Sequence, residues 1–535
     1  MSSAHAQATQ DVKAENEWTI MIFFAGDPHL SPSMTAQLKA IKDAGFQEST
    51  TVLVHYDPNE RGVATTTFEI NRERKAEIQG SGEAGTRIGD GRDPFVRNLI
   101  EDSIPGVSRS ATAADALSTF LINGLKYHQA KHYMVFLVGH GLVVGNDFFL
   151  PDNHPDSGIT LKQLGEILQW FRKGARMFQG EVELVGLHSC SMSAIEVAYE
   201  LQGTAKYMLA TEGVSFVASW PYRQLLKKIL NTIDTASKSG TEVNVDDLVT
   251  SLQRLSLHNS TDFMFSGLSA DLCLCSLDPE RINGLNAPIR NLTKALKEGL
   301  KHRRGLELIT LAHLKAQSYW QETYTDLYDF CLCLERQCDQ TDQVQNTMRT
   351  ACKAVQEALA ESPKNLILQS DFFGPVFQYS HGLSVFFPWS RPVDDAPLLP
   401  DDDMLGRYKN YKFTATLEEE SWLSFLEEYF RSTQRESREA EDGFPVVTGS
   451  GARPSLSANG NGNGNGIVSR TLSVAEALEG PKSSPPLGDG SGCSCSVKNY
   501  PMEFLRSPRA SQDPNWQSNG ALRPQQSGAV VTTTQ

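Results

Sequence analysis

No run of eighteen apolar residues occurs anywhere in the 535-residue chain, so no segment reads as a helix that would span a membrane. The opening stretch MSSAHAQATQDVKAENEW lacks the basic and apolar blocks of a secretory signal, and a cytoplasmic protein is expected. Positive charge is in deficit: 49 Lys and Arg stand against 64 Asp and Glu, a net charge of −15. That balance argues against a surface for nucleic-acid phosphates and for ordinary acidic solubility. Cysteine is sparse and odd in number, nine in all, placed singly or as the pairs Cys273/Cys275, Cys331/Cys333 and Cys493/Cys495. A disulfide-stapled module is not expected, and Cys-x-Cys has the wrong spacing for a Cys-x-x-Cys zinc site.

Two strand-like runs stand out. HYMVFLVGHG ends at Gly141 and EVELVGLHSC ends at Cys190, each an apolar, β-branched stretch that stops at a reactive side chain among small residues. Reacting groups gather at the carboxyl ends of strands in an open parallel sheet. A His140 and a Cys190 delivered to that edge would make a base and a nucleophile, since a thiolate is favoured by a nearby imidazole. A helix beginning near Met192 would add the favourable end of its dipole. The amides of Gly141 and Cys190 would then face a developing oxyanion.

Around these runs the pattern is strand, helix, strand. Trp18–Gly26 and Thr50–Asp57 read as strands, and Thr65–Asn71 alternates like an antiparallel or edge strand. Ala111–Gln129, Thr160–Phe178 and Ala194–Leu201 read as helices, with a further strand at Tyr207–Ala210. Gly80–Arg92 reads as a loop. FMFSGLSADL, LILQ and GLSVFFPW return to strand in a helix-rich second half that ends in an amphipathic helix, Glu418–Arg431. The expected organisation is a polar, disordered tail over 1–16, a catalytic core over 17–260 and an α/β extension packed on it over 261–435. A Gly-, Asn- and Ser-rich tail over 436–535 is expected to be disordered.

The chain resembles the clostripain family of cysteine peptidases, in the clan of caspases, gingipains and legumain. The matching text is VGHG (Val138–Gly141), LHSCSMSAIEVAYEL (Leu187–Leu201), ATEG…WPY (Ala210–Tyr222), TDLYDF (Thr325–Phe330) and GLSVFFP (Gly382–Pro388), in that order. The interval of fifty residues from His140 to Cys190 agrees with that noted for caspases. The resemblance implies a caspase-like α/β/α sandwich with a mostly parallel central sheet, and an endopeptidase acting on proteins or peptides through His140 and Cys190. It implies no membrane or nucleic-acid partner and no cofactor, although some relatives need calcium; Asp401–Asp403 is an acidic run that would suit that ion.

The departures from the family concern specificity. Arg and Lys are the family's preferred residues before the cut bond, received by a pocket of carboxylates. The resemblance maps that pocket onto His188, Thr211, Glu212, Gly213, Ala218, Ser219 and Trp220, where Glu212 alone is acidic. A weakened or lost Arg preference is therefore expected, because a buried guanidinium without paired carboxylates is costly. Asp147 or Asp152 would be the substitutes. Asp27 and Asp57 sit at strand ends, where they hold or cap loops. His154 and His188 with His140 and Cys190 match no compact zinc spacing. Arg172-Lys173 and Arg176 fall inside an expected helix, a poor site for self-cleavage. The alternative to an enzyme is a catalytically weak scaffold of the same fold that binds peptides or partner proteins.

Overall fold

β-branched and aromatic runs become the strands of a computed structural model that describes residues 16–25, 30–57, 66–70, 112–141, 149–153, 156–259, 269–320, 322–392 and 404–443. In chain order the strands are β1 (Asn16–Phe24), β2 (Thr50–Tyr56), β3 (Thr66–Ile70), β4 (Ala130–Val138), β5 (Phe149–Asn153), β6 (Asp156–Ile159) and β7 (Glu181–His188). They continue as β8 (Tyr207–Ala210), β9 (Ala270–Ser276), β10 (Ser318–Tyr319), β11 (Tyr324–Asp326), β12 (Ile367–Phe373) and β13 (Ser384–Phe386). Eight of them form one sheet in the order β12-β9-β8-β7-β4-β1-β2-β3. From β2 through β1, β4 and β7 to β8 all pairings are parallel. β3 lies antiparallel at one edge, while β9 and β12 add antiparallel pairings at the other. The expected, mostly parallel α/β sheet is present and takes in β9 and β12 of the second half, while β10, β11 and β13 form a separate three-stranded sheet.

Both faces of this sheet are covered, and strand alternation divides the core in two. Met21, Phe23, Tyr133, Val135, Leu137, Val185 and Leu187 face one layer, packed under helices Ala113–Tyr127, Leu161–Met177 and Ile195–Glu200. Ile20, Ile22, Phe24, Met134, Phe136, Val138 and Leu184 face the other, under helices Ser31–Lys42, Tyr222–Ser239 and Val245–Asn259. Helix starts follow local chemistry. Thr112 accepts the Asp115 amide, and Thr160 forms a reciprocal capping box with Gln163.

Buried acids tie the second half to the first. Glu196 accepts the Phe386 amide at 3.0 Å and the Tyr408 hydroxyl at 2.6 Å, while Glu200 accepts the Lys412 amide at 3.1 Å. Both acids lie on helix Ile195–Glu200, which is buried on all sides. Burial raises the Glu196 carboxyl to about 6.

Three element boundaries differ from the sequence expectation. The helix after Cys190 begins at Ile195 rather than near Met192, because the Ser193 amide is drawn to Thr211 O and Ala194 bridges to Ser384. The last strand of the GLSVFFPW segment is only Ser384–Phe386, since the Phe387 amide turns to Thr323 O. The final helix starts at Trp422, where the Ser421 hydroxyl accepts the Ser424 amide, and Glu418–Glu420 forms a 3-10 turn.

By its contacts the chain divides into a unit of 1–432 with 491–535 and a unit of 433–490. Of the second, only the end of helix Trp422–Gly443 is described. Of the tails expected over 1–16 and 436–535, Asn16 instead opens β1 and 436–443 instead continue helix Trp422–Gly443; the rest of both tails, the loop Gly80–Arg92, the first residues of FMFSGLSADL and Asp27, Asp147, His154 and Asp401–Asp403 lie outside the described residues.

Candidate active site

Register between β4 and β7 sets the site. Val138 pairs with His188, so two residues further along each strand His140 and Cys190 leave the sheet at the same level. Gly141 then packs directly on the Cys190 peptide. A Cβ at that position would lie 1.7 Å from Cys190 O, 2.6 Å from its carbonyl carbon and 2.8 Å from its amide nitrogen, so only glycine fits. His140, immediately before it, is partly exposed, whereas Cys190 is buried to 2%.

The turn that carries Cys190 is held by the strand end opposite it. Ser191 has φ of 55°, an uncommon conformation for a residue with a side chain, and its amide is held by Gly213 O at 2.9 Å. The Ser193 amide donates to Thr211 O at 2.8 Å, and Thr211 Oγ1 donates to Ser189 O at 3.3 Å. Cys190 Sγ accepts the Ser215 amide at 3.3 Å and lies 3.5 Å from Ser215 O. An amide N–H on sulfur favours the thiolate. The helix that was expected to help does not reach the thiol: it begins five positions later and spans six residues.

His188 is turned away from the surface. Along β7 it shares a face with Leu184 and Gly186, and there it stacks on Trp220 at 4.5 Å with 8° between the rings. Its Nε2 lies 2.8 Å from Phe216 O and its Nδ1 3.2 Å from Tyr222 Oη, so Nε2–H donates and Nδ1 accepts. Burial lowers its pKa to about 3, which keeps the ring neutral. Gly186 makes room for the stack, since a Cβ there would lie 2.5 Å from Phe136 and 3.1 Å from Trp220.

Three carboxyls lie buried behind the 211–213 segment. Asp271 accepts the Glu212 amide at 2.6 Å and the Gly213 amide at 2.9 Å. Glu212 Oε2 accepts the Gly382 amide at 2.9 Å, and Ser193 Oγ donates to Gly382 O at 2.6 Å. Asp326 caps helix Leu327–Gln337 through the Asp329 amide and also accepts the His381 amide at 2.5 Å. Burial, then repulsion from Asp326 and Asp271, pushes the Glu212 carboxyl well above its ordinary value. Burial raises Asp271 to about 7 despite the two amides that favour its charged form. His381 is raised by the charge of Asp326, against a burial effect that lowers it.

A narrow recess with room for about one water is lined by Thr211, Ser215, Ser219, Trp220 and Asp271, next to the Ser215 backbone that contacts the thiol. Of the expected pocket residues, Thr211, Ser219 and Trp220 line it. His188 and Glu212 point into the interior, Gly213 rests against Phe377 and Asp271, and Ala218 is exposed in the turn Val217–Ser219. Sequence reasoning missed Ser215, Asp271 and Asp326. An Asp opening the apolar strand ADLCLCS was a usable signal for Asp271; Ser215 carried none.

Arg172 and Arg176 of the expected basic cluster pair with Glu181 at 2.7 and 3.0 Å. Among the described residues no group of three or more His, Cys, Asp or Glu side chains is placed to hold a metal ion.

The model of the clostripain family matches residues 101–429. No curated protein matches the chain. Among solved structures, a secreted C11 cysteine protease from Bacteroides thetaiotaomicron, in complex with an irreversible peptide inhibitor, is 13% identical with a TM-score of 0.44 over 77% of this chain and 99% of its own. An inactive zymogen C11 protease from Parabacteroides distasonis is 16% identical with a TM-score of 0.45 over 75% of this chain and 97% of its own. The expectation of a cytoplasmic location is withdrawn, since the Bacteroides protein is described as secreted. No helix among the described residues is long and apolar enough to cross a membrane.

Proposed function

This chain belongs to the clostripain family of cysteine peptidases, and we propose that it cleaves peptide bonds with Cys190 as nucleophile and His140 as its acid–base partner. Peptides or proteins are its substrates. The observation that carries the assignment is the β4–β7 register, which brings His140 and Cys190 out of the sheet side by side with Gly141 seated on the Cys190 peptide.

In this reading the Cys190 thiolate attacks the scissile carbonyl carbon. The carbonyl oxygen takes the negative charge and is met by the amides of Gly141 and Cys190. His140 protonates the leaving amine as the C–N bond breaks, leaving an acyl-enzyme thioester. Water, deprotonated by His140, then hydrolyses the thioester and frees the thiol.

A basic residue before the cut bond is disfavoured in this reading. His188 is a neutral ring bonded to Phe216 O, Ala218 is not acidic, and Glu212 is committed to Gly382. Calcium is given no step, since the acidic run Asp401–Asp403 that would suit it lies outside the described residues. The second reading, a scaffold that binds peptides without cutting them, is favoured by the same replacement of acids.

The test is cleavage of a mixed-peptide library by the full chain beside Cys190→Ala, with and without calcium. Cleavage that disappears in the variant supports the peptidase. Absence of cleavage by either, together with no labelling of Cys190 by a thiol-reactive peptide, overturns the dyad and leaves the scaffold.

A further inference from the structure

The segment that brings the Ser215 amide onto Cys190 Sγ lies in no strand or helix. β8 ends at Ala210, the next turn is Val217–Ser219, and residues 214–216 belong to neither. Ser215 does not anchor itself, since its buried hydroxyl has no hydrogen-bond partner among the described residues. Its flanks hold it instead. Upstream, Asp271 accepts the Glu212 and Gly213 amides, and Gly213 O accepts the Ser191 amide. Downstream, Phe216 O accepts His188 Nε2–H at 2.8 Å. Ser219 also donates to Phe216 O, from its amide and its hydroxyl, but those bonds close the 217–219 turn on itself and do not reach β7.

Resting on the peptidase reading above, we propose that His188 is a positioning residue for the nucleophile: its bond to Phe216 O holds the Ser215 amide on Cys190 Sγ and so favours the thiolate. The path leaves β7 through His188, enters the segment at Phe216 O, passes to the adjoining Ser215 amide and returns at 3.3 Å to the thiol two residues beyond His188. A hydrogen bond made to the charged form lowers the cost of ionisation.

The ring is fixed for this task. Trp220 stacks on it at 4.5 Å, and Tyr222 Oη lies 3.2 Å from Nδ1. A carbonyl oxygen can only accept, so the neutral ring carries its proton on Nε2. Burial keeps the ring neutral, and it pushes the Tyr222 hydroxyl well above its ordinary value. The two bonds of His188 therefore stay the same while Cys190 and His140 titrate. A ring that only filled the core would be replaceable by phenylalanine and not by glutamine; a positioning donor demands the reverse.

The test uses the full chain and two variants that separate the ring from its donor. His188→Phe keeps a ring for Trp220 and loses the N–H, whereas His188→Gln loses the ring and keeps an N–H near the place of Nε2. Alkylation by iodoacetamide is followed against pH on the peptide that contains Cys190. The midpoint is expected about one pH unit higher in His188→Phe than in the parent, with the acid limb of kcat/KM displaced alike, and within about 0.3 unit of the parent in His188→Gln. His188→Leu, which also lacks a donor, replaces the phenylalanine variant should that not fold. A midpoint unmoved without the donor, or displaced equally in both variants, would overturn the inference while leaving Cys190-dependent cleavage intact. Absence of any Cys190-dependent cleavage by the parent would overturn both.

Discussion

Glu212 and Gly382, 170 residues apart in the chain, are joined by a hydrogen bond of 2.9 Å from the Gly382 amide to Glu212 Oε2. Through it the segment GLSVFFP is pinned under the turn that carries Cys190, since Gly382 O also receives Ser193 Oγ. Asp271 holds the amides of Glu212 and Gly213 from the other side, and Asp326 holds the amide of His381. Four separated motifs of the sequence thus meet in one buried polar network whose fixed point is a carboxyl.

That carboxyl makes stability depend on pH. Burial and two neighbouring acids raise Glu212 well above 4.5, so the folded state keeps a proton that the unfolded chain releases. The stability it confers is present at low pH and is lost as pH rises from the ordinary glutamate range through the raised value; Asp271 acts in the same direction between about 4 and about 7. Glu212→Gln keeps an oxygen for the Gly382 amide and removes the ionisation. Melting temperatures at pH 5, 6.5 and 8 are expected to drop by at least about 2 °C less in the variant than in the parent. Parallel curves would show that Glu212 carries no such proton.

The opposite sign holds for a buried histidine. His313 lies between Phe387 at 3.8 Å and Trp389 at 4.0 Å, and burial lowers its pKa to about 3. The unfolded chain binds a proton there as pH falls below about 6.5, so stability is lost toward acid. His313→Phe preserves the ring stack and removes the proton site. Chemical denaturation at pH 7 and pH 5 is expected to show an acid-induced loss about 2 kcal/mol smaller in the variant. An equal loss in both proteins would mean that the ring is charged in the folded state.

Gly141→Ala tests the close approach at the site. Its Cβ would fall 1.7 Å from Cys190 O, and backbone on both sides leaves no flexible side chain to yield. A displacement of about 1 Å between His140 and Cys190 is expected to lower kcat/KM by roughly a hundredfold or more. Steady-state kinetics with the best peptide substrate checks this, and activity near that of the parent would refute the seating of Gly141 on Cys190.

His188→Asp would place an acid two residues before Cys190, at a position onto which the resemblance maps the family's pocket of carboxylates. Here that position faces the Trp220 ring and Phe216 O, so the new carboxylate would be buried, without a donor other than Tyr222, and would leave space under the indole. The expected outcome is a stability loss of about 3 kcal/mol or more with no gain in Arg over neutral cleavage. A stable variant that now prefers Arg would mean that residue 188 faces the substrate.

Much of the site could be read from the chain because strand ends are written locally. The apolar runs that stop at His140 and Cys190 are strands that stop there, and the helices Ala113–Tyr127 and Leu161–Met177 begin at threonines visible as caps. The short helix expected over Ala194–Leu201 forms as Ile195–Glu200 but does not reach back to Met192, because the Ser191 and Ser193 amides go to Gly213 O and Thr211 O past β8 and the Ser193 carbonyl accepts the Ser384 amide of β13. The role given to His188 by analogy did not anticipate Trp220, which closes over it.

By itself the sequence determined which residues end the strands and, through the two-residue period, that Leu184, Gly186 and His188 share one face of β7. Those are properties of covalent geometry and of apolar residues seeking burial. Only the tertiary structure decided the β4–β7 register that levels His140 with Cys190, and which of the scattered acids stand together. Asp271 and Asp326 sit in separate strands of separate sheets, and no local pattern measures the distance between them. Their proximity follows from packing across the whole chain, and so does the recess that Asp271 shares with Ser215.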